Sequence, residues 1–177
     1  MYNYFIGIDN GSSGSVGILN TDGSFALYSL TPTKKEQNYT QVKKNISRIA
    51  VESLEILLKP YVLGYAFLER PMVNPLKFST TLGAVRALEA TLIVLERLKI
   101  PFEYIDSRKW QHLLLPSGIW KVTTTSNGRT IYKSDSKTLK KASKDVVTRM
   151  FAGNTILGDG EGLLIAEYGR RQKLGIK

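Results

Sequence analysis

Two short apolar runs in this chain each end in an acid: Tyr4-Phe-Ile-Gly-Ile-Asp9 and Gly64-Tyr-Ala-Phe-Leu-Glu69. Both have the pattern of a buried strand. Two further acids, Asp159 and Glu161, stand at the start of the last predicted helix. Ligand and metal sites in α/β sheets favour the carboxyl ends of strands. If the two strands are parallel neighbours, Asp9 and Glu69 lie side by side, and the helix can carry Asp159 or Glu161 over the same point. Such a cluster is unfavourable alone, because two carboxylates about 5 Å apart repel by roughly 3 kcal/mol at an effective dielectric near 20. Protons or a divalent cation must relieve it. All-oxygen ligation, with no cysteine and one histidine, suits Mg²⁺ or Mn²⁺ and not zinc. Two such ions about 4 Å apart activate water and stabilise the leaving oxygen of a phosphodiester. Each acid also has an ordinary use. Asp9 could cap its glycine loop as an Asx turn, Glu69 could be an ion-paired strand end before Arg70-Pro71, and Asp159 and Glu161 could complement a helix dipole.

Charge points to the substrate. Lys and Arg number 25 against 15 Asp and Glu, a net charge of +10 in 177 residues, with a pI near 9.7. Such an excess attracts polyanions and makes association salt-sensitive, although a basic protein with no polyanionic partner has the same composition. Carboxylates able to hold metal, in a basic chain, suit the cutting of a polyanionic backbone. The absence of cysteine excludes disulfides and thiolate metal sites. Leu82 to Leu98, the longest apolar candidate, carries Arg86, Glu89, Glu96 and Arg97, so no membrane span is expected. The first residues lack a secretory pattern, and a cytoplasmic location is expected.

The length fits one domain spanning 1–177. Tyr4–Asp9, Ser15–Leu19 and Ser24–Leu30 read as three strands of a meander, with Asp22-Gly23 as a hairpin signal. After a polar stretch, Pro32 to Asn38, apolar residues at helical spacing (Val42, Ile46, Ile49, Val51, Leu54, Leu57) predict a helix over Tyr39–Leu58, stopped by Lys59-Pro60. Gly64–Glu69 is the fourth strand, Leu76–Leu98 a long helix and Pro101–Ile105 the fifth strand. Asp106-Ser107 caps a short helix through Trp110 to Leu114. Residues 117–134 are predicted as an inserted β-hairpin, with Asn127-Gly128 at its turn. Ser134-Asp135-Ser136 caps a basic helix through Phe151, and a final helix runs from about Glu161 to Gln172. The order indicates a mixed sheet with helices on its faces.

The blocks Ile6-Gly-Ile-Asp9-Asn-Gly-Ser-Ser-Gly14, Phe67-Leu-Glu69-Arg-Pro71 and Gly158-Asp-Gly-Glu161-Gly-Leu-Leu-Ile-Ala-Glu167 occur in this order. Together they resemble the active-site blocks of RuvC-type Holliday junction resolvases, particularly the small bacteriophage versions. Arg86-Ala-Leu-Glu-Ala90 through Tyr104-Ile-Asp-Ser-Arg-Lys-Trp110 is similar too. The likeness covers most of the chain apart from Trp120 to Lys133. It implies an α/β ribonuclease H-like fold with a mixed central five-stranded sheet of order 3-2-1-4-5. It also implies a homodimer, Mg²⁺ dependence with Mn²⁺ as a substitute, and cleavage of branched DNA to a 5′-phosphate and a 3′-hydroxyl in a bacterial or phage-infected cell. Asp9, Glu69 and Glu161 match the family's acids. The bacterial pattern has a second acid or His three residues before the last one, where this chain has Gly158. Asp159 is the nearest acid, and the final position is more often Asp than Glu.

Candidate DNA contacts are Ser12 and Ser13 in the glycine loop, Lys77, Phe78, and the lysines Lys121, Lys133, Lys137, Lys140 and Lys141, with Lys34, Lys35, Lys43, Lys44, Arg129 and Lys144 as further cations. Each lysine serves equally as a solvated helix face. Phe78 suits a wedge at a branch point, with core packing or a helix-entry staple as its ordinary uses. Trp110 is expected in the core, Trp120 exposed in the hairpin, and His112 as a surface or packing residue. Three rival functions share these features: a DNA-binding module that does not cut, a nuclease for flaps or RNA–DNA hybrids, and an actin-like ATP-binding domain. The last normally closes two such domains around its nucleotide, so no nucleotide cofactor is expected.

Overall fold

Alternation along the central strands sends side chains to two separate cores. The computed structural model describes residues 2–37, 44–71, 73–74, 76–124 and 130–176. Its main sheet contains β1 (Tyr4–Ile8), β2 (Ser15–Asn20) and β3 (Phe25–Leu30). A separate two-stranded hairpin follows, β4 (Thr33–Gln37) with β5 (Asn45–Ile49), and then helix α1 (Val51–Leu58). The main sheet resumes with β6 (Gly64–Glu69) and, after α2 (Phe78–Arg97), with β7 (Phe102–Ile105). Next come α3 (Ser107–Leu114), the hairpin β8 (Lys121–Thr124) and β9 (Thr130–Lys133), α4 (Ser136–Met150) and α5 (Glu161–Leu174).

Ile6, Ile8, Val16, Ile18, Ala66 and Leu68 pack in one core with residues of α1 and α2. Phe5, Leu19 and Phe67 pack in the other with residues of α3, α4 and α5. The second core is unusually close at one point. A Cβ on Gly7 would lie 2.1 Å from the Gly162 carbonyl oxygen, and one on Gly17 would lie 2.3 Å from the Leu163 nitrogen. Only glycine lets the first turn of α5 rest directly on β1 and β2, and that contact sets where Glu161 begins its helix. The helix is consequently buried from Gly162 to Gly169, beyond the Leu163, Leu164 and Ala166 face expected.

The sheet order is β3-β2-β1-β6-β7, with β1 antiparallel to β2 and parallel to β6. Numbered along the chain this differs from the expected 3-2-1-4-5, because the unforeseen β4–β5 hairpin precedes the last two strands. The hairpin also corrects the predicted helix over Tyr39–Leu58. Only Val51–Leu58 is helical, Asn45–Ile49 is a strand, and Tyr39 to Lys43 lie outside the described residues. Ile46 and Ile49 mimic a helical stripe but are β-branched, and the polar run Thr33–Gln37 supplies a paired strand. Across it Lys34 and Arg48 both reach Glu36.

The expected caps form: Asp106 accepts from the Arg108 N–H at 2.8 Å and Asp135 from the Thr138 N–H at 2.9 Å. The Asn127-Gly128 turn lies outside the described residues, but β8 and β9 pair with each other and not with the main sheet. Helix α2 is long and apolar enough to cross a membrane by length and composition, with a mean hydropathy of 1.4 over the span, despite Arg86 and Glu89. Its Ala87, Thr91, Val94 and Leu95 are buried within the protein.

Candidate metal centre

Register brings the first two acids to one edge. β1 and β6 run parallel with Ile8 opposite Leu68, so Asp9 and Glu69 follow at the same carboxyl end. The third and fourth acids arrive with α5. Gly158 and Gly160 take positive φ values of 77° and 73°, which bend the chain into the helix. A side chain at Gly160 would collide with Val147 of α4, its Cβ 2.8 Å from a Val147 methyl. The buried Ser15 Oγ accepts from the Gly162 N–H at 3.0 Å and ties the helix start to β2. Ser15, the first residue of β2, therefore has a structural role.

Donor oxygens of Asp9, Asp159 and Glu161 all lie within 4.8 Å of one another, on partly buried side chains. Glu69 stands beside this triplet, and its Oε2 accepts from the Trp110 indole N–H at 2.9 Å. Ser143 Oγ donates to Glu161 Oε1 at 3.3 Å, and Lys140 Nζ lies 3.1 Å from Asp159 Oδ2. Among the described residues no cation is salt-bridged to Asp9, Glu69 or Glu161, and no donor is hydrogen-bonded to the Asp9 carboxylate. Glu167, six residues further along α5, shows the contrast. Burial opposes its ionisation, but Arg170 and Arg171 at 2.8 and 2.7 Å hold it below the usual carboxylate range.

The unpaired acids are held the other way. Burial, then the charge of Asp159, pushes Asp9 up to about 6 against the pull of Lys140. Burial, then Asp9, pushes Glu69 up to about 8 despite the indole N–H. Burial, then Asp159 and Asp9, pushes Glu161 up to about 7. All three shifts disfavour the charged carboxylates, because the site's own cations do not neutralise them. Hard oxygen donors within 4.8 Å of one another, without sulfur or imidazole among them, fit a divalent cation of the Mg²⁺ class. Asp9, Asp159 and Glu161 are the residues that could hold it, with Glu69 alongside.

The other sequence candidates divide. Ser12 and Ser13 are exposed on the glycine loop, and Lys77 is exposed before α2. Phe78, for which packing was the ordinary expectation, is 71% exposed on the first residue of α2. Lys121 and Lys133 are cross-strand partners on the β8–β9 hairpin. Lys137, Lys140, Lys141 and Lys144 are exposed on α4, and only Lys140 of these reaches the carboxylates. Lys34 pairs with Glu36, Lys35 and Lys44 are exposed, and Lys43 and Arg129 lie outside the described residues. Trp120 is half-buried, not exposed, because His112 stacks on it at 4.3 Å and Tyr132 closes on His112 at 5.3 Å. Trp110 is fully buried as expected, but its link to Glu69 was missed. A tryptophan four residues after the N-cap Asp106, on the helix following β7, was the available signal. Ser143 was missed as well, since nothing in the basic helix distinguished it.

A mixed five-stranded sheet with helices on both faces, and acids gathered at the ends of β1 and β6, defines an α/β fold of the ribonuclease H-like class. No family model and no curated protein matches the chain. Among solved structures it is similar to T. thermophilus RuvC in complex with a Holliday junction substrate, with a TM-score of 0.59 and 11% identity over 97% of this chain and 96% of that one. It is also similar to a second Thermus thermophilus RuvC structure, with a TM-score of 0.50 and 11% identity over 98% and 97%. At this identity the likeness establishes a RuvC-like fold.

Proposed function

We propose that this chain is a metal-dependent, structure-selective DNA endonuclease that resolves Holliday junctions or related branched DNA. The observation that carries the proposal is the convergence of Asp9, Asp159 and Glu161 within 4.8 Å, beside Glu69, in a chain of net charge +10. A RuvC-like fold, one of whose solved neighbours is bound to a Holliday junction substrate, supports branched DNA as the substrate. Bound Mg²⁺, or Mn²⁺ in its place, would lower the pKa of the attacking water and offset charge on the leaving oxygen.

Asp9, Asp159 and Glu161 would hold the cation, and Glu69 would offer Oε1 while Trp110 engages Oε2. In the reaction the water oxygen bonds to phosphorus and the P–O3′ bond breaks. The water's proton passes to solvent and O3′ takes one up, leaving a 5′-phosphate and a 3′-hydroxyl. Lysines of α4 and of the β8–β9 hairpin would contact phosphates, which position DNA without reading its sequence. The active species would be a homodimer of a single-domain chain, 1–177 with the hairpin at 117–134 inside it, working in the cytoplasm of a bacterial or phage-infected cell.

The test is a panel of labelled four-way junction, flap, duplex and RNA–DNA hybrid in Mg²⁺, with Asp9→Asn as the control. Junction nicking by the parent and none by the variant is expected. Tight junction binding without nicking in Mg²⁺ or Mn²⁺ overturns the catalytic reading in favour of a binding module. Preferential cutting of flaps or hybrids reassigns the substrate.

A further inference from the structure

Tyr28 of β3 stands opposite Gly17 of β2, where the missing side chain lets α5 rest on the sheet. Its half-buried ring packs against the core beneath that helix. The hydroxyl then reaches a segment 129 positions away in the chain and donates to the Leu157 carbonyl at 2.5 Å. Leu157 opens the turn that carries Asp159. Leu157 and Gly158 are both exposed, so burial of their own side chains does not anchor that turn. Glycines on either side of Asp159, both at positive φ, leave its backbone few intrinsic restraints. A Cβ at Gly158 would lie 3.4 Å from a Leu30 methyl and 3.6 Å from the Tyr28 hydroxyl, so position 158 faces β3. Asp159, the next residue, faces the donor cluster, with its Oδ1 accepting from the Glu161 N–H at 3.4 Å. Burial raises the Tyr28 hydroxyl above its ordinary pKa, and the charges of Asp159 and Asp9 add to this against hydrogen bonds with Ser15 and the Gly160 backbone. The hydroxyl therefore stays protonated, as a donor to Leu157 must, and it lies within the field of two of the acids.

We propose that Tyr28 is a positioning residue for the candidate metal centre, its hydroxyl clamping the Leu157–Gly160 turn so that the Asp159 carboxylate is held ready for a divalent cation. The inference rests on the metal-binding part of the proposed function and adds to it a residue outside the four acids. Groups that orient a metal ligand without binding the metal set its affinity, because the ligand need not be ordered when the ion arrives. Tyr28 acts in this way through the backbone that carries Asp159. Lys140 also reaches Asp159, but from an exposed side chain whose charge a bound cation would repel. The tyrosine hydroxyl is uncharged and grips a carbonyl, so its hold survives the arrival of the ion.

The test compares the parent, Tyr28→Phe and Tyr168→Phe. The first substitution keeps the ring and removes only the hydroxyl. The second removes a hydroxyl from a buried tyrosine seven residues beyond Glu161 on α5, and controls for a general loss of packing. Mn²⁺ is titrated into each protein, with the free ion read by electron paramagnetic resonance, and melting is followed in EDTA and in saturating Mn²⁺. The Mn²⁺ dissociation constant should rise about tenfold in Tyr28→Phe and change by less than about twofold in Tyr168→Phe. The Mg²⁺ concentration for half-maximal junction cleavage should move by the same factor, with KM for the junction unchanged. A lower melting temperature of metal-free Tyr28→Phe with unchanged Mn²⁺ affinity overturns the proposal, since Tyr28 would then serve the fold alone. An equal loss of affinity in both variants overturns it as well. Amide exchange gives a second measurement, made on the parent without metal. The Gly160 amide should already be protected, and exchange at the rate of an unstructured chain until Mn²⁺ is added overturns the clamp. Failure of the parent to bind Mn²⁺ at all overturns the metal-centre reading, and this inference with it.

Discussion

Replacing Asp9 by Asn should stabilise the metal-free protein while removing the proposed nuclease activity. Asp9 is held at about 6, above its ordinary 3.8. The folded chain therefore keeps a proton that the unfolded chain releases, and stability falls as pH rises between those values. At 1.36 kcal/mol per pKa unit the shift corresponds to an upper bound of about 3 kcal/mol. Direct repulsion has the same scale: unit charges at the 4.8 Å limit of the cluster interact by about 3.5 kcal/mol at an effective dielectric of 20. Access to solvent and the nearby Lys140 reduce this, so a gain of about 1–3 kcal/mol is expected at pH 8 for Asn, which carries no charge and gives up no hydrogen bond. For a chain of this size that is a rise of roughly 3–10 °C in Tm. At pH 4 the parent Asp9 is protonated in the fold and nearly half protonated unfolded, so the gain should shrink below about 1 kcal/mol. The assay is thermal and urea unfolding in EDTA at both pH values, repeated at pH 8 with millimolar Mg²⁺. The cation should stabilise the parent and leave Asp9→Asn almost unchanged. Destabilisation by Asn at pH 8, or an equal gain at pH 4, would refute the view that uncompensated negative charge defines this site.

Two further outcomes follow from the packing. Trp110→Phe keeps the buried ring volume but removes the indole N–H from Glu69 Oε2; cation affinity, read by Mn²⁺ titration, and junction cleavage should both fall about 10–100-fold. Equal affinity and rate would show that Trp110 is only a core residue. Gly7→Ala should cost about 2 kcal/mol or more in urea unfolding, because its Cβ must displace the α5 backbone, whereas Gly118→Ala, with nothing within 4 Å, should be within about 0.5 kcal/mol of the parent.

Asp9, Glu69, Asp159 and Glu161 were visible as candidates in the sequence because each closes or opens a strongly patterned segment. Buried strands and capped helices are local features, and burial enforces their periodicity. Thus the five strands of the main sheet and helices α2, α3, α4 and α5 were all legible, with small boundary differences. The β4–β5 hairpin was not, since Thr33–Gln37 is polar and becomes a strand only by pairing with Asn45–Ile49. The geometry of the acids was not legible either. Which donors share one point depends on glycines of β1 and β2 admitting the first turn of α5, a contact between residues about 150 positions apart in the chain. That crossing groups Asp9 with Asp159 and Glu161 and leaves Glu69 to Trp110. Local sequence specifies a residue's chemistry and its element, but distances between donors arise from packing, which no segment encodes by itself.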